Sequence, residues 1–408
     1  MSPLMVDKLG TIVPEITLGT GAVVCLMLGL AKHWLLRRIV PAIAALTLII
    51  AALLVGDDAT AGAGLASSSF VRLAILLVGL LLLMVTAAVP GQLRMTQRAE
   101  DRDLQGRSFE PGDVVSGEFF AFFLFSLTGA MLCASANDLV WLFLALELTS
   151  LPTYVLVATT RDRVDAQESG VKYFFLGALA AAVFLYGFSL IYGATGTTVF
   201  LAADGAPSIA SYVTDCDDRG VPVSPLFVTG VVLALVGMAF KIAAFPMHAY
   251  AADVYQGAAL PVTAMLAFVP KTAGFVAMIV LLVAVGWPLP DPVLWLLVIM
   301  AAVTMTVGNV MGLLQRSLKR LMAYSSIAHS GYMLVGVAAG PNLAAKSSDA
   351  LGQGLAAVLF YLVAYGLATV GVFAVLGSLR GRGDEADTFD DLAGLSTRHP
   401  VLSAVLLL

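Results

Sequence analysis

Runs of about 20 apolar residues recur from one end of this chain to the other, the length a helix needs to cross a hydrocarbon layer roughly 30 Å thick. No water reaches backbone amides at that depth, so such a run must be a helix or part of a closed barrel. The alternating short strands of a barrel are absent. Composition agrees: 60% of the 408 residues are hydrophobic and 12% charged, against roughly 25% charged in a soluble domain. The chain is therefore read as an all-α, polytopic transmembrane helix bundle. Apolar segments fall at about 11–31, 34–55, 70–89, 114–134, 138–158, 169–193, 225–245, 260–285, 291–313, 320–339, 353–378 and 400–408, the last only a fragment. The stretch Thr195–Ser224 reads as one long polar break. Cys25, Cys133 and Cys216 match neither a paired framework nor a metal spacing. The start, MSPLMVDKLG, lacks the pattern of a cleavable signal.

Basic residues orient the bundle. Numbering the loops alternately puts 15 of the 22 lysines and arginines on one side, including Arg37, Arg94, Arg161, Arg316, Lys319 and Arg398. Only Lys8, Arg72, Arg219 and Lys346 fall on the other. Basic loops stay on the cytoplasmic side, so the amino terminus is expected outside, in a cell inner (plasma) membrane.

The remaining three, Lys172, Lys241 and Lys271, lie inside apolar segments. An ionisable group at mid-bilayer costs about 2.5–3.5 kcal/mol on insertion scales and marks a functional position by default. Glu147 is expected roughly 12 Å into its span and Lys271 roughly 16 Å, at the helical rise. Both depths approach the membrane centre. Lys241 precedes Pro246 by five residues in FKIAAFPMHAYAADVYQG. A proline there removes a helical hydrogen bond, and broken backbone survives at membrane depth only beside protein or a water-filled cavity. A discontinuous helix near Pro246 is thus expected, with Lys241 beside it. The bland readings are a structural ion pair for Glu147 and snorkelling to the surface for Lys241. Lys172 is equally compatible with snorkelling and function. His248 and Asp253, just beyond the break, read as an inner mouth or an interfacial cap. His329, among Ser325, Ser326 and Ser330, reads as a water-path residue or a helix–helix hydrogen-bonding one. Burial disfavours the charged form of an ionisable group and pairing with an opposite charge favours it. A buried Lys–Glu pair that opens and closes can therefore take up and release a proton.

Four motifs carry a family resemblance. FKIAAFPMHAYAADVYQGAALPVTAMLAFVPKTAGF (240–275), KRLMAYSSIAHSGYMLVG (319–336), ALELTSLPTYVL and VKYFFLGA occur within Asn137–Gly336. They resemble the antiporter-like membrane subunits of the proton-pumping NADH–quinone oxidoreductase, respiratory complex I. The DVYQGA segment and the following PVT favour the subunit N branch over subunits L and M. The resemblance implies three leading helices (1–112) and two inverted five-helix repeats, at 114–286 and 287–408. Each repeat would contain one broken helix, a device shared with other inverted-repeat transporters. The chain stops at RHPVLSAVLLL, where the second broken helix would begin, so the second repeat is expected to be incomplete. By position Glu147 matches the family's ion-pair glutamate, Lys241 its broken-helix lysine and Lys271 its central lysine. Lys172 and His329 match recurring polar positions, and His248 lies where a proton would arrive from the basic side.

The expected function is proton translocation driven by redox chemistry in partner subunits. The chain has no G-x-G-x-x-G after a strand, no cysteine cluster and no haem-spaced histidines. NADH, FMN, iron–sulfur clusters and quinone are accordingly expected in the partners, with no cofactor or metal in this chain. Other membrane subunits and lipid are the expected partners, with no nucleic acid. Rival readings are an Mrp-type cation/proton antiporter subunit, a subunit of a ferredoxin-, F420- or hydrogen-linked oxidoreductase, and a membrane scaffold. An aromatic quinone pocket at Trp141, Phe143 and Tyr154 is the weakest, since aromatics in membrane helices usually pack or sit at interfaces.

Overall fold

The computed structural model describes residues 11–31, 34–56, 68–88, 115–159, 164–202, 205–340, 353–379 and 388–407. Much of the basic-loop charge used for orientation, including Lys32, Arg94–Arg107, Arg161, Arg163, Lys346, Arg380 and Arg382, lies outside them. The described residues are helical, with two isolated bridges in place of any sheet. Three leading helices, α1 (Val13–Gly29), α2 (Trp34–Leu54) and α3 (Ser68–Ala88), are followed by α4 (Val115–Ala134), α5 (Leu139–Thr159) and α6 (Val164–Thr195). A short α7 (Ile209–Asp218) precedes a helix in two pieces, α8 (Pro225–Met238) and α9 (Ala251–Gly257). Then come α10 (Leu260–Val285), α11 (Asp291–Leu313), α12 (Leu318–Ala339) and α13 (Gln353–Ser378), and finally the short α14 (Leu395–Arg398) and α15 (Pro400–Leu407). Six described helices, α4, α5, α6, α10, α11 and α13, are long and apolar enough to cross a membrane.

The expected spans hold within a few residues, apart from the 225–245 segment, whose helix ends at Met238, and two further differences. The polar stretch 195–224 contains α7, started by a reciprocal cap between Ser208 and Ser211. And α6 begins at Val164, about a turn before the apolar run, its first turns (VDAQESG) being polar.

α10 is the hub. Almost every residue from Leu260 to Val285 is buried, packed by α4, α5, α13 and α3. A helix apolar all round belongs at the centre of a bundle. Around it, helices touch through small residues, which let backbones approach where lipid supplies no hydrophobic drive. At the α1–α4 crossing Gly29 faces Gly117, and a Cβ on either would strike the other's Cα.

An internal duplication is visible in the contacts. A Cβ on Gly129 would meet the Thr149 amide, and a Cβ on Gly308 would meet the Ala328 amide. Asp138 bridges Val199, and Ser317 bridges Thr388. Asp138 and Ser317 each cap the following helix, accepting from the Trp141 and Arg320 amides. Three of these correspondences share one offset of 179 residues (129 to 308, 138 to 317, 149 to 328). Five helical units, α5, α6, the broken helix, α10 and α11, together with the short α7, separate the α4–α5 turn from the α11–α12 turn. An odd number of membrane passes would turn the second copy over, the arrangement that the resemblance implies.

Candidate functional site

The site begins where α8 ends. Helical bonding stops at Met238, and residues 239–250 run as turns before α9. The break therefore starts before Lys241 and contains it, where the sequence reading set the lysine in the helix ahead of a break at Pro246. Ala243 takes a φ of 53°, a region costly for a residue with a Cβ. The freed backbone groups are satisfied by neighbours. The Tyr250 hydroxyl donates to the Phe240 carbonyl at 2.7 Å. Ser330 on α12 donates to the Ile242 carbonyl at 2.5 Å. The Phe245 amide donates to Thr304 Oγ1 on α11 at 3.0 Å. Two of these three partners lie on α11 and α12, so the break is fixed by helices that follow it in the chain.

Lys241 is held inside the bundle, its side chain 1% exposed. Its Nζ lies 3.1 Å from Glu147 Oε1 and donates to Ser150 Oγ at 2.5 Å. Both partners sit on α5, in ALELTSLP, spaced so that they share one helix face. Their contact with Lys241 bridges more than 90 residues of sequence.

Lys271, on α10, is held differently. Its Nζ donates to the Ser326 carbonyl at 2.5 Å and to Ser326 Oγ at 2.6 Å, and lies 4.6 Å from the centre of the Tyr365 ring. Tyr255 shares the Ser326 hydroxyl at 3.2 Å. The described residues give Lys271 no carboxylate partner. Between the two lysines lies an internal cavity of ≈ 10 Å³, lined by both of them and by Tyr173, Tyr250, Tyr255 and Pro270. That is room for about one water, and the lysine and tyrosine heads supply the polar partners a buried water needs. Beyond Lys271, the His329 ring lies 4.9 Å from that of Tyr365, and His329 Nδ1 shares a hydrogen with the Tyr361 hydroxyl at 2.6 Å. Glu147, Lys241, the cavity, Lys271 and His329 thus form one polar row through an apolar core.

Two expected residues stand off this row. Lys172 is 44% exposed and pairs with Glu168 at 2.8 Å and Asp253 at 3.1 Å. Its helix begins well before it, and its charge ends in a surface network rather than in the core. His248 is half-buried against Phe245, with ring centres 5.8 Å apart, and does not line the cavity.

Other polar residues could not be read from the chain. Arg72 and Glu15 form a buried pair at 3.1 Å, with Arg72 also donating to the Thr11 carbonyl at 3.1 Å. Lys319, counted above as a loop cation, is buried and donates to the Ala258 carbonyl at 3.0 Å, at the turn between α9 and α10. The available signal was position: Glu15 lies in the first turn of an apolar helix and Arg72 about a turn inside another.

Residues 136–408 match the family described as NADH:quinone oxidoreductase/Mrp antiporter, TM. The NADH-quinone oxidoreductase subunit N of Herminiimonas arsenicoxydans is 36% identical over 405 residues, covering 97% of this chain and 77% of that protein. Subunit N of Gemmatimonas aurantiaca is 44% identical over 286 residues, 69% of this chain and 51% of that protein. Against several such relatives the chain thus spans little more than half their length. Among solved structures, respiratory complex I from Thermus thermophilus with bound aureothin has a chain that superposes with a TM-score of 0.70 at 30% identity, covering 96% of this chain and 76% of that one. The Mrp complex from Dietzia sp. DQ12-45-1b superposes at 0.69 with 20% identity, covering 100% of this chain and 70% of that one, a likeness of fold.

Proposed function

The chain belongs to the NADH:quinone oxidoreductase/Mrp antiporter family, on its subunit N side, and from that premise we infer that it carries protons across the membrane for an NADH–quinone oxidoreductase. The observation that carries this reading is the buried row from Glu147 through Lys241 and the cavity to Lys271 and His329. It is a non-redox member of the enzyme: electron transfer from NADH through FMN and iron–sulfur clusters to quinone belongs to partner subunits. It works in the inner membrane with its amino terminus outside, among other antiporter-like subunits.

The chain's own residues supply the proton chemistry. With the Glu147–Lys241 pair closed, the carboxylate and Ser150 favour a protonated lysine. Opening the pair withdraws the counter-charge and lets the proton pass through the cavity toward Lys271. A partner subunit must supply the energy difference between the two states, because a change with no differential interaction moves no equilibrium. The Mrp-type reading shares this row, and partners separate the two.

Two measurements test the proposal. The tagged full-length chain should co-purify with quinone-reductase subunits and not with cation-antiporter subunits. In inside-out vesicles carrying the complex, Glu147→Gln should lower NADH-driven proton uptake about tenfold, as loss of roughly 1.4 kcal/mol of transition-state stabilisation would. Unchanged uptake at normal assembly would remove the switch from the mechanism.

A further inference from the structure

We propose that Asp253 is a positioning residue, latching α9 between the two halves of the bundle and thereby closing the cavity between Lys241 and Lys271 to water from the basic side. The inference rests on the proton-carrying role argued above.

Each oxygen of the Asp253 carboxylate takes a cation from a different half. Oδ2 accepts from Lys172 Nζ on α6 at 3.1 Å, and Oδ1 from Arg320 Nη1 on α12 at 2.8 Å. Its backbone is held too, with Ser169 Oγ donating to the Asp253 carbonyl at 2.9 Å. Arg320 also reaches Gln256 Oε1 at 3.0 Å, one turn further along α9, and Gln315 Oε1 at 3.1 Å. At the far end of α9 Lys319 holds the Ala258 carbonyl. A seven-residue helix with a break before it and a turn after it is thus buried through Ala251, Ala252, Val254, Tyr255 and Gly257, while its polar residues tie it to α6 and α12.

What α9 closes is also on the page. Val254 and Tyr255, the two residues after Asp253, line the cavity beside Lys241 and Lys271. A displaced α9 would open that wall toward the side where the basic residues gather. The fastening suits a door more than a plug. Asp253, Lys172 and Arg320 are each roughly a third exposed or somewhat more, and exposed ion pairs hold weakly and are screened by salt.

The test reads chemical access and needs no proton transport. In the full-length protein in inside-out membrane vesicles, Val254→Cys would be probed with a small charged methanethiosulfonate, Cys25 and Cys133 being buried and Cys216 being replaced by serine. With Asp253 present at low salt, labelling should be slow. Adding Asp253→Asn should raise the rate about fivefold, the scale of one exposed charge pair. Asp253→Glu should restore slow labelling. Raising the ionic strength should accelerate labelling of Val254→Cys alone, so the idea stays testable if Asp253→Asn does not assemble. Labelling that is indifferent both to salt and to residue 253 overturns the latch. Pumping lost on altering Glu147 alongside flat labelling would sink the latch and spare the transport reading, whereas salt-sensitive labelling with unchanged pumping would do the reverse.

Discussion

Lys271→Ala is expected to abolish NADH-driven proton uptake in vesicles while the complex still runs as one band on a native gel. Lys271 occupies the middle of the hub helix, beyond the cavity from Lys241, and its ammonium donates to one residue, Ser326, through two oxygens and sits over the Tyr365 ring. Alanine leaves those oxygens facing a void large enough for water to replace the ammonium. The packing faces of α10 remain, so assembly survives. Lys271→Arg sharpens the test. Arginine keeps the charge and the donors but does not release its proton in proteins. A structural cation would be rescued by arginine, whereas a proton carrier would not. Full pumping in either variant would remove Lys271 from the pathway.

The second large effect is structural. Gly117→Ala should loosen the leading helices from the rest of the bundle, and Gly117→Val should do so more strongly. The Cβ meets backbone, the Gly29 Cα and the Cys25 carbonyl, which cannot rotate aside as a side-chain tip can. Overpacking of this kind costs about 1–3 kcal/mol, with the valine at or above the upper end. Heating the detergent-solubilised protein should show the apparent midpoint falling in that order. Gly19→Ala is the control, since nothing lies within 4 Å of its would-be Cβ. Equal midpoints for Gly19→Ala and Gly117→Val would mean that α1 does not dock through this crossing.

The spans were legible because crossing a bilayer is a local demand, met by length and apolarity alone. Buried lysines were legible for the same reason, as charges where none is affordable. Contacts were not. Nothing local says that Lys241 meets Glu147 and Ser150, or that Lys271 meets Ser326 rather than a carboxylate, because such pairs join helices distant in sequence. Lys172, read as equally compatible with snorkelling and function, sits inside an apolar run, and the polar turns ahead of it carry it to the surface, where Glu168 and Asp253 receive it. Charges near helix ends misled in both directions, since Lys319 and Arg72 look like loop cations and are buried. α7 escaped notice because its residues are mostly polar, although the Ser208–Ser211 cap was readable.

The duplicated scaffold has an electrostatic consequence. Carried forward by the same 179 residues, Glu147 falls on Ser326. The fold thus offers a lysine the same helix position twice, once furnished with a formal charge and once with only a hydroxyl and a carbonyl. On the proposed path, a positive charge moving from Lys241 to Lys271 would leave a site with a counter-ion for one with dipoles alone.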